Sequence, residues 1–215
     1  MQYFQRFCKL LIGLFVMSLA IVLLMQANVG YAPWEVFSAG VASLTKLRVG
    51  TVTVIVGLVI VLIDYLAKEK MGFGTILNML LLGGFMNLIN GMQIIPLAVD
   101  VWQSALMLFI GLVLIGIGSF LYMTAGFGAG PRDTFMVMLM RKTGLSLGIC
   151  RGIVECTVAL IGYLLGGQVG IGTIVIALSI GYFVQITYFL MQQDPKAIQH
   201  ETFNTTMKKM LFINK

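Results

Sequence analysis

The chain contains two copies of one pattern, and this internal repeat limits its possible folds more than any other feature. Residues 6–89 align with residues 104–187 without a gap and with 26 identities in 84 pairs. The clearest match places the segment NVGYAPWEVF (28–37) over the segment GFGAGPRDTF (126–135). Self-similarity of this kind indicates that the chain folds as two equivalent halves.

The composition indicates that both halves lie in a membrane. Hydrophobic residues make up 59% of the 215 positions and charged residues 10%, with a mean hydropathy of +0.99. Soluble domains carry about 25% charged residues. Apolar runs of about 20 residues, the length that crosses the hydrocarbon core, recur along the chain. We therefore predict an all-α polytopic membrane protein with six long transmembrane helices, at Phe7–Ala27, Val49–Ala67, Thr75–Leu97, Trp102–Ala125, Leu147–Leu165 and Gly172–Met191.

The repeat and the hydropathy together divide the chain. We predict a first three-span half at 1–98, a second at 99–191, and a polar, basic, cytoplasmic tail at 192–215. The first apolar run is long and lacks a small-x-small cleavage site, so it is predicted to be a retained span. Lys and Arg at helix ends and in the tail suit anionic lipids rather than nucleic acid. The three cysteines lack the spacing of a disulfide framework or zinc site, so no metal or cofactor is predicted.

Two further helices, Pro33–Leu44 and Pro131–Lys142, are short. Each would be about 18 Å long, against about 30 Å of hydrocarbon. Whether they re-enter the membrane, lie at its surface or cross it stays open. If they do not cross, each half has three spans and the halves are inverted relative to each other. Lys and Arg then divide 7:2 between the cytoplasm and the outside, against 6:3 in the parallel arrangement. The positive-inside bias thus favours an inverted repeat with a cytoplasmic N-terminus.

Each short helix begins with the same motif. A Gly lies three residues before a Pro, and an acidic residue follows two positions after that Pro. Gly permits a sharp backbone break, Pro suits the first helical position, and the acid lies at the positive end of the helix dipole. The motif is either a well-capped helix start or one of two half-helix N-termini that face a shared solute cavity. Its residues are Gly30, Pro33, Trp34 and Glu35 in the first half, and Gly128, Pro131, Arg132 and Asp133 in the second.

A second motif, GxGT, precedes the last span of each half. No strand precedes it and no Lys follows it, so close helix packing through small residues explains it better than a phosphate loop. An amide within a span is costly unless it is paired, which makes Asn78 a candidate for lining a polar cavity. The motif residues are Gly72, Gly74 and Thr75 in the first half, and Gly170, Gly172 and Thr173 in the second.

Besides Lys9 near the start of the first span, three charged residues lie within the predicted spans. Arg151 and Glu155 are four residues apart, so they share a helix face and can pair. Charges at this depth usually face the protein interior or a cavity and mark function, so Glu155 either takes part in solute or proton coupling or belongs to a structural ion pair. Asp64, four residues before Lys68, is predicted to form an interfacial pair with it. No Ser/His/Asp order, HExxH motif or Walker loop is present, so the chain is not predicted to be an enzyme.

The chain reads APWE at 32–35, GFGT at 72–75, and then has Asn78. This order resembles the YczE/YitT-like bacterial integral membrane proteins, in which an early APWD motif is followed by GxGT and an Asn. Glu35 replaces the expected Asp and keeps the carboxylate. The resemblance covers nearly the whole chain except the tail. It implies a multi-pass protein of the bacterial plasma membrane, and it implies no particular substrate or reaction.

These features predict a secondary transporter, or a transporter-like protein, that binds a small polar or anionic solute between its halves. The alternative is a non-transporting membrane subunit that binds a solute or assists a partner protein. The expected partners are the lipid bilayer and the solute, and a homodimer or a partner protein stays open. The candidate lining residues are Trp34, Glu35, Asn78, Arg132, Asp133, Arg151 and Glu155.

Overall fold

The computed structural model describes residues 2–193, 198, 201–203 and 205, and within them the regular structure is helical, without strands. Most of the predicted tail at 192–215 lies outside the described residues. The helices are α1 (Gln2–Gln26), α2 (Pro33–Thr45), α3 (Val49–Leu66), α4 (Phe73–Met92), α5 (Val101–Thr124), α6 (Pro131–Thr143), α7 (Leu147–Leu164) and α8 (Ile171–Leu190).

Five of these helices, α1, α3, α4, α5 and α8, are long and apolar enough to cross a membrane. The number becomes six if α6 and α7 count as one span, bent by 118° at the break between them. An all-helical membrane protein is therefore confirmed, with five to six candidate spans.

Two predicted helix limits are wrong by five residues, because α1 begins at Gln2 instead of Phe7 and α4 ends at Met92 instead of Leu97. Gln93 caps the helix in the left-handed conformation, with φ of 52°. Pro96 also disfavours helical geometry in the residue before it. The next helix begins after Asp100, whose side chain accepts a hydrogen bond from the Gln103 amide and caps α5.

The centre of the bundle is the crossing of α1 and α5, which have the most extensive helix contact. Glycines make this crossing close, because a Cβ added at Gly13 would lie 2.6 Å from the Tyr122 nitrogen. Helix α4 packs against α1, and α8 packs against α5. The short helix α2 packs mainly on α7, and α6 packs on α3. Each short helix therefore lies against a helix of the other half of the chain.

The loops that precede the short helices are joined to the starts of α4 and α8. The Gly74 amide donates to the Phe127 carbonyl, and the Gly172 amide donates to the Val29 carbonyl, each at 2.7 Å. A Cβ added at Gly72 would overlap that same Phe127 carbonyl. These backbone contacts hold the loop before α6 against the start of α4, and the loop before α2 against the start of α8.

Thr75 strengthens one of these junctions. Its hydroxyl donates to the Ala129 carbonyl at 2.6 Å and accepts from the Gly72 amide at 3.2 Å. In the other half, Thr173 accepts from the Gly170 amide at 3.1 Å. Because Thr75 is fully buried, its hydroxyl satisfies polar groups that water does not reach. The loop before α6 is thereby held against the first turn of α4.

Candidate functional site

A cavity of about 500 Å³ lies between the two halves, and residues from all eight helices line it. This volume is typical of small-molecule sites. All seven candidate lining residues border it: Trp34, Glu35, Asn78, Arg132, Asp133, Arg151 and Glu155. Their placement around one space is a geometric observation, and their binding of a solute stays a prediction.

The first turns of α2 and α6 meet across the cavity through an ion pair. Arg132 Nη1 lies 3.0 Å from Glu35 Oε1, and the guanidinium lies 4.8 Å from the centre of the Trp34 ring. The Glu35 side chain is 5% exposed and that of Arg132 is 26% exposed. Trp34 and Arg132 occupy equivalent positions of the repeat. Because one half has an aromatic residue there and the other half has a cation, a cation–π contact forms where the two positions meet.

Asp133 and Asn78 lie beside the same glycine, Gly130. A Cβ added there would lie 3.4 Å from the Asn78 amide and 3.4 Å from Asp133 Oδ2. The Tyr122 hydroxyl donates to Asp133 Oδ2 at 2.6 Å. Asn78 is 7% exposed. Among the described residues, the structure records no ion pair for Asp133 and no hydrogen bond for the Asn78 side chain.

Helix α7 contributes the second ion pair of the cavity. Arg151 Nε lies 2.7 Å from Glu155 Oε1, so the expected pairing of these two residues is present. The Arg151 side chain is 50% exposed and that of Glu155 is 18% exposed. The pair therefore borders the cavity at a more open side than the pair of Glu35 and Arg132.

The glycines, prolines and threonines of the two motifs have a different location. Pro33 and Pro131 are the first residues of α2 and α6 and border the cavity. Gly30 and Gly128 have φ of 108° and 120° in the preceding loops, where glycine avoids the strain of other residues. The remaining motif residues lie at the junctions of these loops with α4 and α8: Gly72, Gly74, Thr75, Gly170, Gly172 and Thr173.

The predicted interfacial pair of Asp64 with Lys68 is wrong. Asp64 is fully buried, and neither carboxylate oxygen has a hydrogen-bond partner among the described residues. Lys68 lies beyond the end of α3 and has a φ of 62°. The helical spacing that would align residues four apart therefore does not continue to Lys68.

Tyr122 is the main site residue that the sequence did not single out as a candidate. The residue is 3% exposed, and its hydroxyl donates a hydrogen bond to Asp133. The equivalent residue of the first half is Leu24. Comparison of the two halves, which singled out Arg132, would have found this polar replacement as well.

The cavity carries charges of both signs. Its charged lining residues are three carboxylates and two guanidinium groups, which leaves one excess negative charge when all are ionised. The carboxylates belong to Glu35, Asp133 and Glu155. In the part of the chain that the structure describes, no group of three or more His, Cys, Asp or Glu residues is arranged to hold a metal ion.

Comparison with known proteins identifies the family. The protein-family model with the description "Family of unknown function (DUF6198)" matches residues 4–188 of this chain. The chain belongs to this family. Two relatives of this DUF6198 protein are an uncharacterized protein of Haemophilus influenzae, 34% identical over 86% of this chain and 84% of the relative, and the uncharacterized membrane protein YczE of Bacillus subtilis, 32% identical over 81% of each chain. No solved structure matches.

These relatives confirm the resemblance to YczE-like proteins that the APWE and GFGT motifs indicated. With the apolar helices, they establish the protein as a multi-pass membrane protein.

Proposed function

We propose that this DUF6198 protein is a secondary transporter of the bacterial plasma membrane, which binds a small polar solute between two repeats of inverted topology. The proposal includes no catalytic step, and both termini lie in the cytoplasm. The observation that carries it is the cavity, because the first turns of α2 and α6 and the charges of Glu35, Arg132, Asp133 and Glu155 meet there. Transporters of this architecture bind solutes between repeats, at the ends of broken helices.

The helix limits support the repeat. The ranges of α6, α7 and α8 equal those of α2, α3 and α4 with 98 added to each residue number. The loop contacts follow the same rule, because Val29 and Phe127, the acceptors for Gly172 and Gly74, are also 98 residues apart. Helix packing agrees, since α2 on α7 corresponds to α6 on α3. A rotation that places the first half on the second would account for the matching helix limits, loop contacts and helix packing.

The charge of the cavity modifies the expected solute class. With one excess negative charge among its lining residues, the cavity disfavours a multiply charged anion on Coulombic grounds. A neutral, zwitterionic or cationic solute matches this lining better. The expected solute is therefore polar and is not a multiply charged anion.

A ligand screen with a Glu155→Gln variant tests the proposal. A solute present at about 100 times its Kd stabilises the folded state by about 2.7 kcal/mol. For a chain of this size, that raises the midpoint of thermal unfolding by roughly 5–10 °C. We expect such a shift for the wild-type protein in detergent and its loss in Glu155→Gln, because Glu155 borders the cavity.

Glu69→Gln is the matched control, because Glu69 also pairs with an arginine, Arg141, and lies outside the cavity. It should retain the shift. A screen without any stabilising compound, on protein that unfolds cooperatively, would contradict the solute site and favour the partner-subunit alternative. An equal shift in Glu155→Gln would contradict the assigned lining.

A further inference from the structure

We propose that the solute carries a protonated amine and that Asp133, Asn78 and Tyr122 bind this group. The inference rests on the proposed function and specifies its ligand. The first observation is the unequal pairing of the three lining carboxylates. Glu35 has Arg132 and Glu155 has Arg151 as ion-pair partner, whereas Asp133 accepts a hydrogen bond from a neutral hydroxyl. Asp133 is thus the lining carboxylate without an ion-pair partner among the described residues, and the guanidinium of Arg151 attracts it only from beyond ion-pair distance.

The second observation is the Asn78 amide beside it. Asn78 is more than nine-tenths buried, borders the cavity, and forms no side-chain hydrogen bond within the described residues. A buried amide without a partner is costly, and polar groups that a protein leaves unpaired in a cavity commonly serve a ligand. The ammonium group carries only donors, so it matches the carboxylate of Asp133 and the carbonyl oxygen of Asn78.

The size and walls of the cavity favour an organic amine over an inorganic cation. A volume of about 500 Å³ far exceeds what a single metal ion occupies. Trp34 and Tyr122 present aromatic rings to the same space. Aromatic faces attract organic cations as well as apolar groups. We therefore assign the ammonium to Asp133 and the remainder of the solute to the apolar lining.

Thermal unfolding with matched probes tests this assignment. The probes are amines (ethanolamine, choline, putrescine), ethylene glycol as a neutral analogue, acetate and succinate as anions, and sodium chloride. We expect at least one amine, and none of the anions, to stabilise the wild-type protein. Asp133→Asn should weaken the binding of that amine at least about thirtyfold, because the ammonium group would lose its ion-pair partner and remain an unpaired charge. Asn78→Ala should weaken the binding of the same amine about tenfold.

Glu69→Gln again serves as the control and should bind the amine like the wild type. Stabilisation by sodium alone, stabilisation by anions, or an amine effect that survives Asp133→Asn would each overturn the amine assignment and leave a solute site in place. Absence of any stabilising probe would overturn it as well. If Asp133→Asn does not fold, the Asn78→Ala result decides, since the Asn78 side chain forms no hydrogen bond with the described residues that the change could remove.

A different observation carries a second inference, that α7 and α8 form a gate to the cavity. In the first half, Gly50 and Gly83 make the contact between α3 and α4, and a Cβ on either would overlap the carbonyl of the other. The equivalent residues are Gly148 and Gly181, and an added Cβ at either would have no atom of the described residues within 4 Å, apart from its own helix backbone and chain neighbours. The helices therefore touch at this pair of glycines in the first half and are apart at the equivalent pair in the second half.

The open side of the cavity coincides with this gap. The lining residues of α1 to α6 are buried or half-buried, and every exposed one lies on α7 or α8. Leu178 and Tyr182 are each 68% exposed. We infer that solute enters between α7 and α8 and that these helices close onto Gly148 and Gly181 in a second state, as α3 and α4 do here. In transporters with inverted repeats, one repeat moves against the other, so that the solute site opens to one side of the membrane and then to the other.

Disulfide cross-linking tests the gate, in a background where Cys8, Cys150 and Cys156 are replaced by serine. Gly57→Cys with Met79→Cys is the positive control, because a Cβ at Gly57 lies 3.6 Å from that of Met79, which suits a disulfide. Gly148→Cys with Gly181→Cys should cross-link within one chain in membranes under oxidant, more slowly than the control. Complete control cross-linking without any Gly148–Gly181 bond, or a bond between two chains only, would overturn the gate.

Discussion

Replacing Gly83 by alanine should destabilise the protein strongly, whereas the same change at the next residue, Gly84, should not. An added Cβ at Gly83 would overlap the Gly50 carbonyl and lie 2.7 Å from Val54 Cγ2. Helices α3 and α4 would have to separate. Overpacking of a helix contact costs about 1–3 kcal/mol and sometimes more, and contact with rigid backbone places Gly83→Ala at the upper end, about 3 kcal/mol.

Gly84 provides the matched comparison on the same helix. It is exposed, and among the described residues no atom outside its own helix backbone and chain neighbours lies within 4 Å of an added Cβ. Alanine is favoured over glycine in a helix by up to about 1 kcal/mol, so Gly84→Ala should be neutral or slightly stabilising. The midpoint of thermal unfolding in detergent, measured for both variants, separates them. Equal midpoints would show that α3 and α4 do not contact each other at Gly50 and Gly83.

Replacing Arg132 by methionine should have the second large effect, because it strands a buried carboxylate. Glu35 is 5% exposed, and Arg132 is its ion-pair partner at 3.0 Å. Removal of one member of a buried pair costs about 3–5 kcal/mol. Loss of the guanidinium from the Trp34 face adds about 0.5–2 kcal/mol. The free energy of unfolding, from denaturant titration in detergent, measures the sum.

The double variant Arg132→Met with Glu35→Gln distinguishes the stranded charge from lost packing. Glutamine carries no charge, so the double variant should recover more than half of the stability that Arg132→Met loses. If the double variant is as unstable as Arg132→Met, the packing of Arg132 against Trp34 would be the main contribution. If Arg132→Met has no effect, the two helix N-termini do not meet as described.

Part of the site could be predicted because its signals are local. Pro33 and Pro131 set the starts of α2 and α6, since proline suits the first helical turn. The spacing of Arg151 and Glu155 on one helix predicted their pair, which the structure contains. The charged residues within apolar runs also indicated a cavity, and each candidate borders it.

Other features of the site depend on distant parts of the chain. Arg132 and Glu35 are 97 residues apart, and no pattern in the sequence pairs them. Tyr122 differs from its equivalent Leu24, but the sequence does not show that its hydroxyl contacts Asp133, eleven residues away. Asp64 was assigned to a pair that assumes a helix beyond Leu66, whereas a left-handed Lys68 turns the backbone there.

The sequence by itself determined the all-helical membrane class, the short proline-initiated helices and the family. These follow from hydropathy, from backbone preferences and from similarity, which act over a few residues or along an alignment. The tertiary structure alone decided that Gly50 and Gly83 touch while Gly148 and Gly181 do not. The local sequence is Gly at all four positions, so the difference comes from how the helices pack around the cavity, where Arg151 and Glu155 replace Thr53 and Gly57.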